Sequence, residues 1–246
     1  MKTWQKLALV LGFPVVILAI GILIINHKRN EPGVVPHSQP QERALSQDEM
    51  VQPRKLFIDD MKSARELIGK PVWEQAGYEM DYFPYTPHHV DFAHKSGSLP
   101  GAQRLDVKDV ITEKLPAGFV TRIPRGDKQV FVVFTMPGDN RQYATAVGYI
   151  QGSDSTYYCD NVFYYDDPRT MYNFWPAPVW QAIDQHKAIA GMNELQAAMA
   201  LGVMQQSDSS DYGNRTVEYE ANGTHWAVTF ENDKATQVQQ TAAKAQ

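Results

Sequence analysis

The strongest hydrophobic pattern in the chain is an uninterrupted apolar run from Leu7 to Ile25, which contains no charged or polar side chain. As an α-helix, a run of this length spans about 28 Å, close to the hydrocarbon thickness of a bilayer. A cleaved signal peptide has a shorter apolar core and a small-residue cleavage site, and a buried helix of a globular domain keeps a polar face. The pattern therefore predicts an uncleaved, single-pass transmembrane helix that acts as a signal-anchor within residues 1–29, with the lipid bilayer as one partner.

Residues 30–54 show the opposite pattern, because they are rich in Pro, Gln, Ser and charge and poor in large apolar side chains. Such a composition cannot offset its ordering entropy by burial, so it predicts a disordered linker. Basic residues flank the apolar run on both sides, so the charge bias that sets membrane orientation is weak. Since an inside N-terminus is the commoner arrangement, we expect the large C-terminal part to be extracytoplasmic.

Residues 55–168 change from a helical to a strand pattern. Apolar residues recur at three- and four-residue spacing from Phe57 to Ile68, and Gly69 and Pro71 end the pattern, which predicts a short helix over 55–69. Short β-branched and apolar runs separated by Pro- and Gly-containing turns then follow at Leu105–Ile111, Phe119–Ile123, Val130–Thr135, Tyr143–Ile150 and Tyr157–Tyr165. Short, regularly spaced strands of this kind predict a mainly β domain, and we expect a small antiparallel β-barrel of the SH3-like type.

Residues 169–241 return to helices and end in alternating strands. The apolar spacing predicts one helix from Pro178 to Lys187 and a second from Asn193 to Leu201. Three strands follow, at Thr216–Glu220, His225–Phe230 and Ala235–Gln239. The Asn222-Gly223 pair between the first two is a strong hairpin signal. The pattern predicts two helices on a three-stranded antiparallel sheet, and so an α+β fold class for the chain.

The order of short motifs in this last part resembles the SmpA/OmlA family, typified by the small lipoprotein of the outer-membrane β-barrel assembly machine. The resemblance covers the C-terminal quarter of the chain and lies in Gly191-Met192, Glu194, Gln196, Leu201-Gly202 and Val228–Lys234. It implies a two-helix, three-strand module of a kind that serves extracytoplasmic proteins as an interaction domain. The chain departs from the family because it lacks the lipoprotein cysteine, has Gly202-Val-Met204 where Gly-x-Pro is usual, and carries a preceding β domain. A role in outer-membrane assembly is therefore not inferred.

Composition and the absence of known motifs exclude several classes of function. The formal net charge of −5 and the lack of a Lys/Arg stripe argue against nucleic acid as a partner. The one cysteine, Cys159, leaves no internal disulfide, and no base stands near it in the sequence, which favours a buried structural thiol. No phosphate-binding glycine loop, nucleophile elbow or paired zinc motif occurs, so we expect no cofactor and no enzymatic activity.

One cluster invites a metal hypothesis, namely His88, His89, Asp91 and His94. Imidazole and carboxylate groups are good zinc ligands. However, the spacing matches no metal motif, and a segment bracketed by prolines and glycine is typical of a loop with solvated histidines. These residues are weak candidates only, and no metal site is predicted.

Aromatic residues gather in two other segments, which offer Tyr82, Tyr85, Tyr172 and Trp175 as candidate partner-binding residues. Exposed Tyr and Trp side chains provide large contact areas for peptides or polymers. The alternative is that they fill the hydrophobic core.

These patterns favour a membrane-anchored, extracytoplasmic, non-enzymatic interaction module. Its expected partner is an envelope protein or a wall polymer. The alternative is an envelope hydrolase or metal-binding protein that uses the 88–94 histidine cluster, and a third possibility is a structural spacer.

Overall fold

A computed structural model describes residues 45–221 and 223–242, whose regular structure is mostly antiparallel β-strand in two sheets. The strands of the larger sheet are β1 (Pro71–Glu74), β2 (Asp81–Thr86), β3 (His89–Val90), β4 (Gly97–Ser98), β5 (Arg104–Glu113), β6 (Lys128–Met136), β7 (Asp139–Gln151), β8 (Asp154–Tyr157) and β9 (Phe163–Tyr164). Those of the smaller sheet are β10 (Met204–Ser207), β11 (Thr216–Ala221), β12 (Thr224–Glu231) and β13 (Lys234–Ala242). The helices are short and are α1 (Gln47–Met50), α2 (Met61–Arg65), α3 (Cys159–Val162), α4 (Pro168–Met171), α5 (Ala177–Asp184) and α6 (Glu194–Leu201).

The larger sheet is open. Its strand order is β3-β2-β7-β6-β5-β1-β9, with β4 added to β2 and β8 added to β7. The edge strands β3 and β9 do not pair with each other. In the central strand β6, every side chain from Val130 to Phe134 is fully buried. A strand covered on both faces has a continuous apolar run rather than an alternating one, as this segment does.

The predicted fold class with an SH3-like barrel is wrong, because the described residues form two sheets and no closed barrel. The predicted strand Phe119–Ile123 is a loop. The backbone carbonyls of Leu115, Pro116 and Phe119 accept hydrogen bonds from the Arg125 guanidinium, not from the backbone of a neighbouring strand. The predicted strand over 157–165 divides into the end of β8, helix α3 and the two-residue β9. The sheet therefore lacks the continuous strands that closure requires.

Within residues 45–221 and 223–242, no helix is both long enough and apolar enough to cross a membrane. The fold class of this part is corrected to antiparallel sheets with short helices, and the description of the chain as a single-pass transmembrane protein finds no support there. The predicted transmembrane helix, Leu7 to Ile25, lies outside the described residues.

The predicted helix over 55–69 is reduced to α2, with Asp60 as its N-cap. The chain before it has no regular structure and a positive φ at Phe57, and the Asp160 carboxylate accepts hydrogen bonds from the backbone N–H groups of Leu56 (2.8 Å) and Ile58 (3.2 Å). Those donors are therefore satisfied from outside a helix, and helix formation before Asp60 gains nothing from them.

The smaller sheet has the order β10-β11-β12-β13. The predicted hairpin is confirmed, since β11 and β12 pair antiparallel up to Ala221 and Thr224. The predicted second helix is confirmed as α6, which begins after Asn193 with a capping box to Gln196. The sequence analysis missed β10, whose four residues contain little apolar side chain and carry no alternation signal.

Two hydrophobic clusters fill the unit that begins at Gln47. The first lies on the larger sheet and includes Val72 and Phe131, and the second, under the smaller sheet, includes Trp175 and Phe230. Strand β1 contributes to both, because Val72 belongs to the first cluster while Trp73 packs against the second. The end of β1 and the loop after it therefore lie where the two clusters meet.

Candidate functional site

A cavity of about 430 Å³ lies beside the loop between β1 and β2. Its walls come from four separate parts of the chain: the loop before β2 without Glu79, residues 122–124, α3 with the preceding Tyr158, and the residue after Gly202. Apolar side chains form most of the wall, and these are Met80, Ile123, Pro124, Val162 and Val203. The volume falls in the range of about 300–1,000 Å³ that small-molecule sites occupy.

Four polar side chains also line this cavity, namely Tyr78, Arg122, Tyr158 and Asn161. Within the part of the chain that the structure describes, none of the four makes a side-chain hydrogen bond. The Arg122 guanidinium has one ionic neighbour there, Glu79, with 3.6 Å between Nη2 and Oε2. That separation is too long for a hydrogen bond, and a guanidinium has five N–H donors. The cavity thus presents a partly exposed cation that makes no hydrogen bond to the residues described by the structure.

The loop that carries Arg122 has no regular secondary structure but is held by side chains. The Arg125 guanidinium donates to the carbonyl oxygens of Leu115 (2.9 Å), Pro116 (3.0 Å) and Phe119 (3.0 Å). The Gln129 amide donates to the Pro124 carbonyl at 2.9 Å from within the sheet. A loop fixed in this way can hold a binding side chain in a defined position.

Glu79 lies beside Arg122 in a strained backbone conformation. Its φ is +50°, and burial raises the pKa of its carboxyl. A smaller cavity of about 100 Å³ also has Glu79 in its wall, together with His186, whose φ is +52°. A Cβ on Gly202 would lie 3.0 Å from the Glu79 carboxyl, so glycine permits the close approach here.

Glu74, at the end of β1, is completely buried. Its Oε1 accepts a hydrogen bond from the Met80 N–H at 3.0 Å, and Oε2 has no partner in the described structure. Burial raises the pKa of Glu74 well above the ordinary value, because desolvation outweighs the Met80 hydrogen bond and the attraction of Arg122. The neutral form of Glu74 is favoured, so Glu74 does not offset the positive charge of Arg122 and Glu79 is left as its ionic neighbour.

Replacement of Glu74 by glutamine is expected to raise the free energy of unfolding relative to the wild type, and the gain should be larger at high pH than at low pH. The folded state keeps the Glu74 proton where an unfolded glutamate, with a pKa of about 4.3, has lost it. The free energy of unfolding of the wild type therefore falls as pH rises from that value toward the raised pKa. Glutamine keeps the acceptor for Met80 and does not titrate, so it removes this loss.

Urea unfolding at pH 5 and pH 8 measures this effect as the difference between Glu74→Gln and wild type. Glu66→Gln, at an exposed glutamate, is the matched control and should show no such change. An advantage of Glu74→Gln that is equal at the two pH values would contradict the neutral state of Glu74.

The histidines among the weak metal candidates have different hydrogen-bond partners. The His89 ring lies 2.8 Å from Glu113, and the His94 ring lies 2.8 Å from Asp91, while the backbone N–H of His88 donates to the Tyr85 hydroxyl. Among the described residues, no group of three or more His, Cys, Asp or Glu side chains has an arrangement that could hold a metal ion.

The aromatic candidates lie in packed positions. Tyr82 and Tyr85 are half-buried, and Tyr82 packs against Phe134 and Tyr143 on the larger sheet. Tyr172 and Trp175 are buried and stacked, with 4.4 Å between ring centroids. None of the four lines the 430 Å³ cavity, and their binding role stays a prediction.

Cys159 begins α3 and is completely buried. Burial raises the pKa of its thiol to about 12, which disfavours the thiolate that a nucleophile needs. The environment therefore suits the structural role expected from the sequence.

Sequence reasoning did not find Arg122, Tyr78, Tyr158 or Asn161. These residues come from three segments with no shared spacing, so no local motif could connect them. One signal was present, a glutamate at position 74 inside an apolar strand pattern, since a buried carboxyl commonly marks a functional region.

Comparison with known proteins provides no further guide to the site. The resemblance to the SmpA/OmlA family stays a prediction. No family model, curated protein or solved structure matches this chain.

Proposed function

We propose that this protein is a binding module that holds an anionic, partly apolar ligand in the 430 Å³ cavity beside Arg122. The observation that carries the proposal is the Arg122 guanidinium, 40% exposed and without a hydrogen bond among the described residues, on a largely apolar cavity. An anionic group would satisfy its donors with charge-assisted hydrogen bonds, and the apolar walls would bury the rest of the ligand.

The carboxyl groups near the cavity favour binding over catalysis. Glu74 is closed off from solvent, and Glu79 faces Arg122. A general acid or base must reach the reacting atoms of a substrate, and the enclosed Glu74 has no such access. The two groups instead adjust the charge that a ligand meets at Arg122.

The proposal also names the location of the protein and the class of molecule that carries the ligand, both from the sequence analysis. We keep an extracytoplasmic location, and an envelope protein or wall polymer as the partner, as parts of this proposal. Both classes of partner offer carboxylate groups on partly apolar chains, which is the chemistry that Arg122 and the cavity wall would recognise.

The proposal is tested by filling the cavity. Val203→Trp places a large side chain in the cavity wall, and Val120→Trp makes the same change at an 82% exposed position of the Arg122 loop. The purified full chain and both variants are screened by thermal shift against pools of small acids, amines and neutral peptides. We expect the acid pool to raise the melting temperature of the wild type and of Val120→Trp but not of Val203→Trp, and the amine pool to raise none of them.

A screen in which the acid pool does not distinguish Val203→Trp from the other two proteins would overturn the proposal. Circular dichroism and the melting temperature without ligand establish that Val203→Trp is folded. Should it fail to fold, Val203→Leu, which adds a smaller volume, takes its place with a partial loss of the shift as the expected result.

A further inference from the structure

We infer that the ligand is the C-terminal end of a peptide, whose terminal carboxylate binds Arg122 and whose last, apolar side chain lies against the cavity wall. The inference rests on the proposed function and deepens it. It follows from the charge beside Arg122 and from the hydrogen-bonding groups around the cavity.

The charge balance favours a carboxylate over a phosphate. The planar guanidinium fork of arginine matches a carboxylate in a bidentate arrangement. Glu79 lies 3.6 Å from the same guanidinium and adds negative charge, which disfavours a dianion more than a monoanion. The site therefore suits a ligand that brings one negative charge.

The remaining polar groups favour a peptide over a simple fatty acid. The Asn161 amide can both donate and accept, and the hydroxyls of Tyr78 and Tyr158 can do either. A peptide group offers a donor and an acceptor to such partners. An alkyl chain would remove these groups from water and leave them without partners, at a cost in affinity.

The contact between Glu79 and Arg122 predicts that removal of the two charges has opposite effects on ligand affinity. A bound carboxylate competes with Glu79 for Arg122, so loss of the Glu79 charge should strengthen binding while loss of the Arg122 charge should weaken it. Glu79→Gln keeps an acceptor for the Val203 N–H, which lies 3.5 Å from Oε2. A purely structural role of the pair would instead make both variants weaker binders.

The test uses affinity selection by mass spectrometry with the full chain. The probes are a pool of N-acetylated tripeptides that end in an apolar residue with a free carboxylate, the same pool as C-terminal amides, and decanoate. Dissociation constants are then measured by calorimetry for the selected peptide acid and its amide. We expect the acid to bind at least about 10-fold more tightly than the amide.

The variants give the second half of the test. Arg122→Gln should weaken binding of the acid at least about 10-fold, and Glu79→Gln should tighten it about 2- to 5-fold. Arg141→Gln, at a surface arginine that does not line the cavity, is the control and should leave the affinity unchanged.

Equal affinity for acid and amide, or weaker binding by Glu79→Gln, would overturn the inference. Tighter binding of decanoate than of every peptide acid would also overturn it, in favour of a lipid ligand. If no peptide acid binds while another compound from the pool of small acids stabilises the wild type but not Val203→Trp, the inference fails and the proposed function survives. If neither test finds a ligand, both fail.

Discussion

Replacement of Glu194 by glutamine is expected to lower the free energy of unfolding by about 3 kcal/mol, because it removes a buried counter-charge from the partly buried Arg215. The Glu194 side chain is 5% exposed and that of Arg215 is 13% exposed. One Glu194 oxygen accepts from both Nε and Nη2 of Arg215, and the other accepts from the Gly213 N–H at 2.9 Å. The pair joins the start of α6 to the chain that enters β11, so the loss acts on helix and sheet together.

Urea unfolding of the full chain measures this loss. The matched control is Asp184→Asn, which removes the exposed ion pair with Arg169 and should cost less than about 1 kcal/mol. The double change Glu194→Leu with Arg215→Met should recover much of the stability, because it removes both charges together. A loss for Glu194→Gln no larger than that of the control would contradict the buried pair.

Replacement of Trp175 by alanine is expected to cost about 3–5 kcal/mol of unfolding free energy, because the side chain is a central part of the second hydrophobic cluster. Its ring stacks on Tyr172 and lies 5.0 Å from the Trp180 ring. Its indole N–H donates to the Asp48 carboxylate at 2.6 Å, which ties α1 to this cluster. The same measurement decides whether Trp175 is a core residue or a partner-binding residue, the two interpretations that the sequence left open. If Trp175 only contacted a ligand, its replacement would weaken ligand binding and leave the free energy of unfolding unchanged.

Phe174→Ala is the neighbouring control. Phe174 is 37% exposed, and its truncation should cost about 1 kcal/mol. Equal losses for the two variants, measured by urea unfolding, would contradict a core position of Trp175.

Local signals in the sequence were enough to predict local structure. The cap at Asn193 and the Asn222-Gly223 turn each act within a few residues, and both α6 and the β11–β12 hairpin are present. The barrel prediction failed because strand partners are chosen over long distances. Strand β7 pairs with β6 along most of its length, and its other edge pairs with β2 over one part and with β8 over another. No local sequence pattern predicts these partners.

The candidate site was beyond sequence reasoning for the same reason. Arg122 lies on a loop that the Arg125 guanidinium contacts, and the fold brings Tyr78, Asn161 and Val203 from other segments to the same cavity. The histidine cluster had the stronger sequence signal, yet the Nδ1 atoms of His89 and His94 each lie 2.8 Å from a different carboxylate, Glu113 and Asp91. Closeness in the sequence was therefore a poor guide to convergence in space.

Hydrogen exchange of the backbone amides, with and without the ligand that best stabilises the full chain, tests most directly whether the cavity beside Arg122 is where this protein binds. We predict slower exchange on ligand binding in residues 77–80, 119–125 and 158–162 and at Val203, with other regions unchanged. Protection confined to residues 88–94 or to strand β13 would place the ligand elsewhere and contradict the account.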